Sequence, residues 1–151
     1  NLVKYLIWHP HTAAVGPLTG DHGKSSLRHR DRRRTAQVHI KRVAHHWEDP
    51  VTCARWCRRD FVIAAKVLPF LCALLHRHAL AEIGPLNPEF PSGLAADDDW
   101  CLRAGRRDWK LLIACDAFAA HLHKTTFARL GIDRRKLLGK AHRQLRRRST
   151  T

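Results

Sequence analysis

Residues 67–127 read VLPFLCALLHRHALAEIGPLNPEFPSGLAADDDWCLRAGRRDWKLLIACDAFAAHLHKTTF, and their pattern decides the layer architecture. Two apolar runs, 67–75 and 110–115, lack the alternation of a half-exposed strand. They suit strands covered on both faces, as strands of parallel sheets are. Between them the spacing predicts a short helix over 78–83 that stops at Gly84-Pro85. A turn-rich PLNPEFPSG follows. Asp97-Asp98-Asp99 then opens a second helix, whose Trp100, Cys101, Ala104 and Gly105 form one stripe while Arg103, Arg106 and Arg107 face elsewhere. Strands alternating with helices indicate an α/β class rather than a bundle or a sandwich.

Working outward, residues 2–8 read as the end of an amphipathic helix closed by His9-Pro10, and residues 12–17 as a buried strand stopped by Gly16-Pro17. Residues 18–34 hold turn formers and the basic run RHRDRRR at 28–34, which predicts an exposed loop. The spacing of Val38, Ile40, Val43, Ala44 and Trp47 is helical, with Pro50 as a stop. Residues 127–145 form a basic helical tail. The longest apolar stretch, 61–75, is broken by Lys66 and Pro69 and falls short of the ~20 residues that cross a bilayer.

The chain has 151 residues, 44% of them hydrophobic, enough for one domain with a core. It contains no Met, and we expect it to be an internal piece of a longer protein. There are 28 Lys+Arg against 13 Asp+Glu, a formal net charge of +15. Such a field draws polyanions of every kind, so it carries little specificity. The five cysteines, Cys53, Cys57, Cys72, Cys101 and Cys115, are odd in number and lie mostly in apolar runs. That pattern reads as reduced, buried thiols and argues against a disulfide scaffold.

The acid triplet concentrates three of the 13 carboxylates in a cationic chain. One reading is a helix N-terminus, where a capping Asp accepts backbone N–H groups and the macrodipole favours anions. The other is a general base or a metal-facing carboxylate at the rim of an α/β sheet. Both can hold at once. By itself His121 reads as a cap on a strand end, and Trp100, on the apolar stripe of its helix, as core.

The order of these features resembles the acceptor half of family 2 glycosyltransferases. Those proteins run a buried strand, a basic turn, a short helix ending Ile-Gly as at Ile83-Gly84, and an acidic helix start of the form Asp-Asp-x-Cys-x-Arg as at Asp98 to Arg103. A strand and an Asp-x-x-x-x-His element, as from Asp116 to His121, then precede Thr-Phe. Residues 1–20 are similar to the family's helix and strand beyond its nucleotide-binding aspartates, and 127–145 to a C-terminal helix of bacterial members. The resemblance implies a Rossmann-like GT-A fold, a mostly parallel sheet flanked by helices. It implies inverting sugar transfer from a nucleoside-diphosphate sugar to the hydroxyl of a glycan or lipid-linked acceptor.

In that reading Asp97 stands at the base, with Asp98 next if the register shifts by one. His121 matches the metal histidine for a Mg or Mn ion, and Trp100 and Gly93 fall on the acceptor side. Ala96 replaces the family's usual Glu, and His123 its usual small residue. Residues 1–127 would be the C-terminal part of the catalytic domain, with 21–60 a variable basic insert and 128–151 a basic helix and tail. The nucleotide-binding half would lie outside the chain, which alone is expected to be inactive. Relatives with such a tail build bacterial surface polysaccharides, which implies a cytoplasmic location or the inner face of the plasma membrane, against anionic lipid.

The competing readings are a degenerate, non-catalytic α/β protein, a basic nucleic-acid-binding module and a zinc site. The module would use 28–34 and 143–148, but no aromatic is interleaved there, so nucleic acid is expected to bind only non-specifically. The zinc site would use His45, His46, Cys53 and Cys57, whose order departs from the usual spacing.

Overall fold

The computed structural model describes residues 2–18, 62–119, 127 and 129–149. The chain opens with α1 (Leu2–Trp8) and β1 (Thr12–Leu18). Next come β2 (Val62–Ala65), β3 (Leu74–Leu75) and α2 (Arg77–Ile83). A 3-10 turn at Pro91–Gly93 leads into α3 (Ala96–Gly105), followed by β4 (Lys110–Phe118) and α4 (Arg134–Ser149). The expected α/β class holds among these residues.

The four strands form one sheet in the order β2-β4-β1-β3. Its centre is parallel, β1 beside β4, with Val15 opposite Leu112 and Gly16 opposite Ile113. Both outer strands run antiparallel, β2 against β4 and β3 against β1. The sheet is therefore mixed, where a mostly parallel one was expected. Short apolar runs carry no information on strand direction. Direction follows instead from connections that the local pattern does not encode.

Layering explains the runs without alternation. On β4, Leu111, Ile113 and Cys115 pack with Ala79 and Ile83 of α2 and with Trp100, Cys101 and Ala104 of α3. Leu112 and Ala114 turn the other way, onto Tyr5 of α1 and Val15. Successive side chains on a strand point to opposite faces, so a strand covered on both sides must be apolar throughout. A third cluster lies apart from the sheet. Phe90, Ala95 and Ala96 pack there against Ala141 of α4, with Leu94 and Leu145 beside them.

One strand expectation is corrected. Residues 67–75 were read as a continuous strand, yet only Leu74–Leu75 pairs, while Val62–Ala65 forms the second edge. Pro69 offers no N–H to a ladder. The N–H groups beside it go to α3 instead: Leu68 donates to Cys101 Sγ at 3.3 Å and Phe70 to Asp97 Oδ2 at 3.2 Å. The tail is helical at residues 127 and 129 but is not one continuous helix: Gly131 takes a positive φ of 62°, and Asp133 Oδ1 accepts the Lys136 N–H at 3.1 Å where α4 starts. Gly105, placed on the buried stripe of α3, is exposed, as is Cys72. No helix among the described residues is long and apolar enough to cross a membrane.

Candidate functional site at the amino end of α3

The site begins with an unusual approach to α3. Ser92, Gly93 and Ala95 all take positive φ, at 53°, 73° and 65°. Gly93 does so freely, whereas a left-handed alanine costs on the order of 1 kcal/mol. This strain turns the chain sharply enough for Ala95 and Ala96 to bury and for three aspartates to start the helix. Gly93 is exposed, and a side chain added there would meet nothing within 4 Å.

The helix entrance lies towards the carboxyl-terminal half of β1. Residues 68–72 cross late β1, since a Cβ on Gly16 would sit 3.5 Å from the Cys72 carbonyl and 3.6 Å from Leu68 Cδ2. Phe70, within that crossing, donates its N–H to Asp97. At the opposite end of α3, Trp109 N–H donates to the Ala104 carbonyl just before β4 begins at Lys110. Helix α3 thus runs back along the parallel pair, its amino end on the side towards which β1 and β4 run, the side on which open α/β sheets place ligands.

The three acids are held differently. Asp97 accepts the Phe70 N–H on Oδ2 and the Asp98 N–H, 3.0 Å away, on Oδ1. Two backbone donors fix its carboxylate while a lone pair stays available on each oxygen. Asp98 is largely removed from water and stands beside Asp97, which together push its carboxyl up to about 6, against a smaller opposite pull from His142 of α4. Asp99, 5% exposed, pairs with Arg103 Nε at 2.9 Å. Arg103 then donates Nη1 to the Ile83 carbonyl at 2.6 Å and Nη2 to the Pro85 carbonyl at 2.9 Å. Asp99 and Arg103 therefore tie α3 to the end of α2.

Trp100 has no exposed surface. Its Nε1 donates to the Gly84 carbonyl at 2.8 Å and its ring lies 5.4 Å from that of Phe70. With no free face for a sugar, the ring acts here in packing. The Cys101 thiol, pushed up to about 12 by burial, stays neutral and is inert as a nucleophile. His121 lies outside the described residues, as do residues 28–34, His45, His46, Cys53, Cys57 and His123. Among the described residues no group of three His, Cys, Asp or Glu side chains is placed to hold a metal ion. Asp97 and Asp98 by themselves make no cation cage.

The structure thus brings together Asp97, Asp98 and the Gly93 turn. The contribution of His142 and the backbone donor of Phe70 had no signal in the sequence, since both come from distant segments. The Asp99–Arg103 clasp had one, an acid and a guanidinium four residues apart on a helix. Comparison with family models, curated proteins and solved structures finds no match to this chain.

Proposed function

We propose that this chain is the acceptor-side part of a family 2 glycosyltransferase domain of GT-A type, with Asp97 as the general base. The supporting observation is a backbone-oriented Asp97 carboxylate at the amino end of α3, bonded to the connection that crosses the carboxyl-terminal half of β1. An acceptor hydroxyl is a poor nucleophile until a carboxylate takes its proton as the bond to the anomeric carbon forms. A carboxylate fixed by two N–H groups loses little entropy in reaching that geometry. Asp98 is the second candidate, since a carboxyl poised near neutrality suits proton transfer. The nucleoside-diphosphate sugar that the hydroxyl would attack enters this proposal through the family resemblance, and a Mg or Mn ion through the match at His121; the role of Asp97 is to take the hydroxyl proton as that attack proceeds.

Reading the coding sequence upstream of residue 1 tests the assignment. A nucleotide-binding half ending in paired aspartates supports it, and an unrelated domain refutes it. With that half joined, Asp97→Asn is expected to cut sugar transfer by about 10²–10⁴-fold while glycan acceptor binding persists. Transfer that survives in Asp97→Asn and is lost in Asp98→Asn would move the base by one residue.

A further inference from the structure

Helix α4 carries Lys140, Arg143, Gln144 and Arg147. Their spacing of i, i+3, i+4 and i+7 sets them in one row along the helix. This row, with Arg148 and Glu89, lines an open groove of about 490 Å³. The opposite wall is the turn that leads into α3. Glu89 of that turn is ion-paired with Arg148, and its backbone carbonyl accepts Gln144 Nε2 at 3.4 Å. Arg106 of α3 donates to the Arg148 carbonyl at 3.1 Å, which joins both walls to the helix.

The lining holds four cations and one carboxylate, and that carboxylate is already engaged by Arg148. Lys140 and Arg143 have no acid partner among the described residues. Like charges crowded around a concave surface repel unless an anion sits between them. Guanidinium forks match phosphate oxygens in pairs, and Gln144 adds a neutral amide beside them. From Lys140 to Arg147 the helix rises roughly 10 Å, room for a diphosphate as well as a monophosphate.

We propose that the groove between α4 and the Glu89 turn is a phosphate-binding site, filled by a free diphosphate or by the phosphate of a lipid headgroup. This site is independent of the sugar-transfer reading, because none of its lining residues belongs to the acid triplet. It accounts for charge on α4 that the packing of Ala141 and Leu145 does not require.

The test uses inorganic pyrophosphate, followed by titration calorimetry, and co-sedimentation with phosphatidylcholine vesicles with and without phosphatidic acid. The variant Lys140→Gln/Arg143→Gln removes two groove charges at exposed positions. Arg134→Gln/Lys136→Gln removes the same charge from the first turn of the same helix, outside the groove. The expected result is saturable binding that the groove pair weakens by about tenfold or more, while the first-turn pair changes it less than about twofold. That pattern with pyrophosphate assigns the free ligand, and the same pattern with phosphatidic acid vesicles alone assigns the headgroup. Equal losses in both pairs, or an oligonucleotide bound indifferently to both substitutions, would show only a diffuse cationic field and overturn the site, and binding to neither probe would overturn it outright.

Discussion

Asp97, Asp98 and Asp99 are chemically alike and adjacent, and the fold gives each a different environment. Asp97 receives two backbone N–H groups, Asp99 receives a guanidinium, and Asp98 is left to bury against a neighbour of its own sign. The carboxyl of Asp98 therefore holds its proton more tightly in the folded chain, up to about 6, than when unfolded. Stability linked to it is greatest below the ordinary carboxylate range, falls as pH rises from about 4 to 6, and is flat above. Asp98→Asn is accordingly expected to raise unfolding stability at pH 7 by on the order of 2 kcal/mol and to flatten the slope between pH 4 and 6. Urea titrations at both pH values check this, and an unchanged slope would refute it. Arg103→Ala leaves the buried Asp99 charge and two carbonyls without partners, and is expected to cost about 2–4 kcal/mol in the same titration. Arg103→Lys should recover only part of that loss, because an ammonium cannot reproduce the fork.

Among the elements, α4 illustrates competing local forces. Its last turn, with Arg146, Arg147 and Arg148, complements the negative end of the helix dipole, while Arg134, Arg135 and Lys136 oppose the positive end. Asp133 partly offsets this through its bond to the Lys136 N–H. Gly139 lies within the helix, and a Cβ there would meet only the Arg143 Nη1, at an ordinary 3.7 Å. Gly139→Ala is therefore expected to stabilise the protein by about 0.5–1 kcal/mol, read as a higher denaturation midpoint with unchanged m-value. Most elements were legible in the sequence because their signals are local. The stops at Pro10, Gly84 and Pro85 and the periodicity around Trp100 and Ala104 act within a turn or two. The run at 67–75 was misread because a buried apolar string fits either a strand or a packed connection. Pro69 and the side chains of Asp97 and Cys101 decide between them.

At the scale of the whole molecule, helices cover both faces of a small mixed sheet in a chain of net charge +15. Self-repulsion of that size opposes compaction and is relieved by salt. Raising ionic strength from about 0.01 to 0.15 M shortens the screening length from roughly 30 to 8 Å, and Tm is expected to rise by a few degrees. A Tm that falls over this range would show that specific ion pairs outweigh net repulsion. The candidate site was legible as an acid triplet at a helix start, because helix dipoles and caps select those residues locally. The partners of the triplet were not. By itself, the sequence determined the α/β class, the order of most helices and strands, and the helix entrance at Asp97 to Asp99, all through periodicities that act over a few residues. Tertiary structure alone decided which strands run parallel, which aspartate meets the Phe70 N–H, and how α4 builds a groove against Glu89. Those outcomes join residues from 27 positions apart, as Phe70 and Asp97 are, to 100, as Leu18 and Phe118 are. Packing brings such residues together, and no local pattern records it.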